Sequence, residues 1–323
     1  MPTAVRIRRT GGPEVLEVTE VDAGEPGPGE LLVDVAAAGV NYIDTYQRSG
    51  IYKLDLPATL GQEGAGTVTA VGDGVSGFAA GDRVAWQGVL GGYTQQARVP
   101  ARSAVRIPEG VSEEVAAATL LQGVTAHYLV RSTYEVKDGD TILVHAAAGG
   151  VGLLLVQLAK ARGARGIGTV STAEKEALAR EAGADDVIRY DQVEFADEVR
   201  KLTDGEGVAA VYDGVGKSTF DGSLASLRVR GFLVLFGAAS GPVPPVDPQR
   251  LNAAGSLYLT RPTTTHYLRT REELDWRAGE LFDGVTSGQL NIRIGGRYPL
   301  TEAAKAHEDL QARRTTGKLL LLP

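Results

Sequence analysis

Apolar and polar positions alternate along this chain in two different rhythms. Through the first third, stretches such as "LLVDVAAAG" (Leu31–Gly39) and "GTVTAVG" (Gly66–Gly72) change character almost residue by residue, the period of half-buried strands. Turn-forming clusters such as "PGPGE" and "VGDGVSG" separate them, which predicts a mostly β domain. "VSEEVAAATLLQGVTAHYLV" then reads as a helix, with Ser112 as N-cap and Glu113 and Glu114 set against the helix dipole. From about Asp140 the rhythm changes. Short apolar runs ("TILVHA", "GIGTVS", "DVIRY", "VAAVYD", "FLVLFG", "SLYLT") alternate with amphipathic segments. Val151, Leu154, Leu155, Leu158 and Ala159 share one helical face; Phe195, Val199 and Leu202, and then Phe220, Leu224 and Leu227, repeat the spacing. Strand–helix alternation of this kind predicts an α/β fold with a doubly wound parallel sheet. The pattern ends beyond Pro262, and the closing run "GKLLLL" reads as a strand returning to the first domain. The predicted division is a β domain over 1–123, completed by 265–323, and a parallel-sheet domain over 124–264.

The first strand of the second rhythm runs into "HAAAGGVG", His145–Gly152. In a dinucleotide-binding unit three glycines serve a tight turn, close approach of backbone to a pyrophosphate, and helix–strand packing. Those places hold Ala147, Gly149 and Gly152, with Gly150 adding freedom at the helix start; Ala147 is costly only if its turn demands positive φ. Gly149, Gly150 and Val151 then present a helix N-terminus to the anion. The second strand chooses the dinucleotide. NAD sites place an acid at its end, whereas this strand ends in Ser171 and Thr172, followed by Ala173, Glu174 and Lys175. With Tyr190 after the third strand, these residues suit a 2′-phosphate and predict NADPH. A capping box, Ser171 to Glu174, accounts for part of the same segment and leaves Lys175 available. "DGVGKST" (Asp213–Thr219) ends like a phosphate-binding Walker loop, but Val211 stands where that motif needs glycine, and Ser218 or Thr219 reads as a helix cap instead.

Composition narrows the chemistry. The 323 residues include no cysteine and four histidines without ligand-like spacing, so thiolate and histidine-rich metal sites are excluded. A net charge of -7 argues against nucleic acid or anionic membrane as partner. The opening "MPTAVRIRRT" lacks the apolar stretch of a signal peptide, and no run is long enough to span a bilayer, which predicts a cytoplasmic protein.

The remaining motifs, "GGPEVLEV", "GVNYIDTYQRSGIY", "GQEGAGTVTAVG", "GDRVAW", "HAAAGGVGLLLVQLAK", "AGADDVIRY", "VYDGVGKSTF" and "GSLYLTRPT", span nearly the whole chain. Together they resemble the zinc-lacking quinone oxidoreductase (zeta-crystallin-like) branch of the medium-chain dehydrogenase/reductase superfamily. The resemblance implies a GroES-like catalytic domain beside a Rossmann domain, and a homodimer joined sheet edge to sheet edge near "GSLYLT". Where the zinc enzymes of the superfamily carry metal ligands, this chain aligns Asn41, Gln62 and, more loosely, Gln122. Amides there cannot make a stable zinc site, so no metal is expected.

By the same resemblance Asn41, Tyr46, Tyr52 and Gln62 line the substrate side. The cofactor is expected to meet Asn41, Tyr42, Ile43, Asp44, Thr45, Tyr46, Tyr128, Gly150, Val151, Ser171, Lys175, Tyr190, Val215, Phe236, Gly237, Ala238, Ala239, Pro262, Thr263, Thr264 and Arg313. The expected activity is direct hydride transfer from NADPH to a quinone in the cleft between domains. NADPH-dependent reduction of an enone or enal double bond is the enzymatic alternative, and a non-catalytic NADPH-binding protein the alternative of another class.

Overall fold

The computed structural model describes all 323 residues, which cluster into two units: Met1–Val124 with Leu268–Pro323, and Thr125–Tyr267. The strands, in chain order, begin with β1 (Thr3–Ile7), β2 (Glu17–Glu20), β3 (Glu30–Val40), β4 (Ala58–Thr59), β5 (Glu63–Val71), β6 (Arg83–Gln87), β7 (Gln96–Pro100) and β8 (Ala104–Arg106). They continue with β9 (Thr141–Val144), β10 (Arg165–Val170), β11 (Asp186–Arg189), β12 (Val208–Asp213), β13 (Leu227–Leu235), β14 (Tyr258–Thr260), β15 (Ile294–Pro299) and β16 (Lys318–Leu322). The helices are α1 (Tyr42–Ser49), α2 (Glu113–Tyr128), α3 (Gly150–Lys160), α4 (Ala173–Glu181), α5 (Phe195–Leu202), α6 (Phe220–Ala225), α7 (Pro248–Ala253), α8 (Arg271–Thr286) and α9 (Ala303–Gln311). None is long and apolar enough to cross a membrane.

The first unit is built on a seven-stranded sheet, β15-β16-β3-β5-β6-β8 with β7 also on β3, and a small β2-β1-β4 sheet. The alternation read in "LLVDV" matches burial on β3, where Leu31, Val33 and Val35 enter the core with Trp86, Tyr93 and Leu60. β16 pairs antiparallel with β3, Leu319 opposite Val40. This register sets Lys318 beside Asn41, the residue that follows β3. At the head of α2 the Ser112 hydroxyl accepts from the Val115 N–H at 3.3 Å.

The second unit carries one parallel sheet in the order β11-β10-β9-β12-β13-β14. Chain order reverses beside β9, which makes the carboxyl end of that strand a switch point for ligands. Two local expectations are corrected. Leu227 does not continue the α6 face but opens β13, because Arg200 Nη2 donates to the carbonyls of Ala225 (2.6 Å) and Leu227 (2.8 Å) and stops the helix. The N-cap of α4 is Thr172, whose hydroxyl accepts from the Lys175 N–H at 3.2 Å, so the Ser171–Glu174 capping box does not form.

Candidate active site

In the second unit the predicted cofactor residues other than Tyr128, which ends α2, follow the carboxyl ends of six neighbouring strands. Gly149–Val151 follow β9, Ser171–Lys175 follow β10 and Tyr190 follows β11, while Val215, Phe236–Ala239 and Pro262–Thr264 follow β12, β13 and β14. One edge of the sheet therefore gathers them. At its centre Gly149 is the N-cap of α3 and offers no side-chain cap, which leaves first-turn N–H groups to an anion. A Cβ on Gly152 would fall 2.3 Å from the Ala146 carbonyl oxygen, so only glycine lets the helix start this close to the turn. Positive φ is carried not by Ala147 but by Ala146 (51°). The Ala147 methyl instead packs where Gly168 of β10 leaves room, since a Cβ there would lie 2.8 Å away. These features fit a dinucleotide pyrophosphate.

The corner expected to take the 2′-phosphate holds Ser171 and Lys175, both half-buried, and Tyr190, which is exposed. Loops 213–216 and 236–241 are laced by backbone bonds, Phe236 N to Asp213 O at 2.9 Å and Ser240 N to Val215 O at 2.8 Å. A Cβ on Gly237 would sit 2.4 Å from the Gly214 oxygen, so this pairing also requires glycine. The Tyr128 ring stacks on Tyr267, centroids 4.3 Å apart. Arg313 lies in the first unit, exposed after α9, with φ of 58°.

In the first unit, Asn41 ends the approach to α1. Its N–H donates to Asp44 Oδ2 at 2.8 Å, so Asp44 caps the helix from inside. Its side-chain amide is fully engaged. Asn41 Nδ2 donates to Glu63 Oε2 (3.1 Å) and the Gly39 carbonyl (3.4 Å). Asn41 Oδ1 accepts from Lys318 Nζ (2.8 Å) and Gln122 Nε2 (3.3 Å). An amide has two hydrogens and two lone pairs, and all four are spent. The Asn41 amide, expected on the substrate side, is thus held by partners within the chain. Lys318 Nζ also lies 2.8 Å from Glu63 Oε1 in an ion pair that is almost wholly buried. Burial pushes the Glu63 carboxyl up and the Lys318 ammonium down, and each charge partly offsets the shift of the other. Gly39 makes room for the pair, since a Cβ there would meet the Glu63 carboxylate at 2.5 Å.

This arrangement does not fit zinc. The two aligned ligand positions that meet, Asn41 and Gln122, are amides, and their shared oxygen already binds an ammonium. No three His, Cys, Asp or Glu residues are grouped to hold a metal.

Beside it, Tyr93 Oη sits 2.8 Å from Asp44 Oδ2 and 3.0 Å from His307 Nε2, and His307 Nδ1 is 3.1 Å from Arg48 Nη1. A guanidinium only donates, so Nδ1 accepts, the ring proton is on Nε2, and Tyr93 passes its own proton to Asp44. Burial raises Asp44 to about 7. Its Oδ1 has no hydrogen-bond partner. Burial, with the Arg48 charge, lowers His307 to about 3.

Sequence reasoning missed Glu63, Tyr93, His307 and Lys318. The available signal was the lysine heading "GKLLLL", because a lysine entering a buried strand needs a partner. The tyrosines are placed together. Tyr42 and Tyr46 lie 6.2 Å apart by centroid, and Tyr46 meets Tyr52 edge-on at 5.5 Å. They run from buried Tyr46 to exposed Tyr52. Ile43 is half-buried and Thr45 buried on the same helix, and Gln62 is half-buried at the turn into β5. That turn is fixed by Gly61, with φ of 89° and the Tyr93 ring where a Cβ would go.

Comparison with known proteins finds two family models along the chain. Residues 27–109 match the model described as "Alcohol dehydrogenase GroES-like domain", and residues 150–278 the one described as "Zinc-binding dehydrogenase". A quinone oxidoreductase of Pseudomonas aeruginosa is 49% identical over 325 residues, covering 100% of both chains. A mycobacterial protein solved with NADPH superposes with a TM-score of 0.97 at 56% identity, covering 99% of this chain and 100% of that one. The Escherichia coli quinone oxidoreductase solved with NADPH gives 0.97 at 45% identity, with the same coverage. With amides in place of metal ligands, this chain belongs to the zinc-lacking quinone oxidoreductase branch of the medium-chain dehydrogenase/reductase superfamily.

Proposed function

We propose that the protein is an NADPH:quinone reductase working without a metal. One observation carries the reading: a sheet edge shaped for a dinucleotide and lacking the NAD-selecting acid occurs in the same chain as a ligand set that cannot hold zinc. The NADPH complexes and quinone oxidoreductase names among its relatives support it. NADPH, when bound, supplies a hydride, and a quinone accepts it without a Lewis acid because its reduced ring is aromatic.

The chain's own residues hold and orient. First-turn N–H groups at Gly150 and Val151 take the pyrophosphate. Ser171, Thr172, Lys175 and Tyr190 take the 2′-phosphate, flanked by Ala173 and Glu174. Tyr42–Tyr46, Tyr128, Val215, Phe236–Ala239, Pro262–Thr264 and Arg313 complete the cofactor contacts. Tyr46 and Tyr52 offer rings for stacking and hydroxyls to the developing oxyanion, with Gln62 as the amide that reaches substrate. Asn41 serves by holding the start of α1.

Two copies pair through β14, the outermost strand of its sheet, where Tyr258 is exposed and stacks on Phe232. The enzyme works in the cytoplasm, where NADPH is regenerated.

Steady-state NADPH oxidation with 1,4-benzoquinone, 1,2-naphthoquinone and a simple enone tests the reading. Quinone turnover should exceed enone turnover; an enone preferred far above every quinone rejects it. Lys175→Ala should raise KM for NADPH about tenfold or more and leave NADH little changed. Equal losses for both coenzymes would remove Lys175 from the 2′-phosphate.

A further inference from the structure

His145, the first residue of the glycine loop, is buried, and the proposed chemistry does not use it. Its Nδ1 lies 2.8 Å from Thr169 Oγ1 at the end of β10, and its Nε2 lies 2.9 Å from Ser223 Oγ on α6. Ser223 Oγ is also 2.8 Å from Asp213 Oδ2. A carboxylate only accepts, so Ser223 gives its single proton to Asp213 and must accept from His145. The imidazole proton is therefore on Nε2, and Nδ1 accepts from the Thr169 hydroxyl. Asp213 takes three further donors: the N–H groups of Val215 (2.8 Å) and Gly216 (2.9 Å) and the Thr219 hydroxyl (2.7 Å). Thr219 thus spends its hydroxyl on Asp213 rather than on capping α6.

These bonds form one directed chain, Thr169 to His145 to Ser223 to Asp213, whose carboxylate also accepts from the backbone N–H groups of Val215 and Gly216. The order is not that of a hydrolytic triad, because the serine's proton goes to the acid and every member is buried. What the chain joins is the end of β10, the His145–Gly149 turn after β9, and the loop after β12, with α6 between them. We infer that His145 is a positioning residue, a neutral Nε2–H strut that holds the pyrophosphate loop and the Val215 loop in register for the dinucleotide. Burial favours the neutral ring. The inference rests on the reading that these loops bind NADPH.

The test measures dissociation constants for NADPH and NADH by nucleotide fluorescence, with kcat and quinone KM, on the full-length enzyme. Glutamine at 145 places a donor near the Nε2 position, whereas asparagine reaches only the Nδ1 position. Ser223→Ala and His145→Asn should weaken both coenzymes alike, about tenfold. The value of kcat at saturating cofactor and the quinone KM should stay within about twofold, and His145→Gln should recover most of the loss. Lowered melting temperatures with unchanged dissociation constants would overturn the inference. Val151→Glu separates this failure from that of the underlying reading, because a carboxylate in the first turn of α3 should repel both coenzymes. If Val151→Glu weakens binding and the His145 and Ser223 variants do not, the strut is wrong and the cofactor site stands. If Val151→Glu changes nothing, the cofactor reading itself falls. Nitrogen-15 NMR of the imidazoles covers a variant that fails to fold: a neutral Nε2–H ring for His145 at pH 7 supports the strut, and Nδ1–H or imidazolium overturns it.

Discussion

Each unit buries a polar network beneath its functional residues, and the two are built on opposite principles. The first unit buries opposite charges, Glu63 against Lys318, with the Asn41 amide between them. The second buries one carboxylate, Asp213, with all its acceptor capacity filled by N–H and hydroxyl donors, and links it outward through a neutral histidine. A buried ion pair carries a heavy desolvation cost and is hard to break by halves. A saturated carboxylate spreads its stabilisation over many modest bonds, so losing one is tolerable. The first device locks a single position, and the second sets the spacing of loops.

Lys318→Met should break the contrast most severely. It leaves Glu63 charged and unpaired in the core and should cost about 3–5 kcal/mol in urea unfolding. Adding Glu63→Gln should recover much of that loss. A single variant no less stable than the double would show that the ion pair does not act as a unit. Ser223→Ala, in the other network, should cost about 1–3 kcal/mol.

The pH dependence of the Asp44–Tyr93–His307 chain is the next largest effect. Asp44, raised from 3.8 to about 7, contributes stability that is present below about pH 4 and lost as pH rises towards 7. His307, lowered from 6.5 to about 3, contributes stability that is present above 6.5 and lost as pH falls towards 3. Across the shared window the two slopes oppose each other. With His307→Gln the slope of this histidine is removed, so the variant's stability relative to the parent's should rise as pH falls from 6.5 to 4. Urea midpoints at several pH values check this, and a variant whose profile parallels the parent's rejects it. The smallest effect is expected at Ala146, where glycine relieves a left-handed φ but loosens the unfolded chain. Ala146→Gly should stabilise by at most about 1 kcal/mol; a clear loss would mean the methyl packs usefully.

The second unit was the more legible in sequence because its elements are local. Strand and helix periods announced β9 to β14, and the glycine loop sits between a strand and helix adjacent in the chain. Errors there lay at element boundaries, as with Thr172 for Ser171 and Leu227 after α6, since hydrogen-bond geometry decides such boundaries. The first unit's site was legible only as a set of residue types. Asn41, Glu63, Gln122 and Lys318 meet through sheet register across 277 positions of sequence, and no local pattern encodes that pairing. The amide at Asn41 is legible as a polar group of the site, while its partners Glu63, Gln122 and Lys318 are not.

The most direct test of the central claim is NADPH-dependent reduction of 1,4-benzoquinone before and after exhaustive dialysis against a zinc chelator. The account predicts the same kcat/KM in both preparations and no gain on adding zinc. A rate that collapses on chelation and returns with zinc would contradict it.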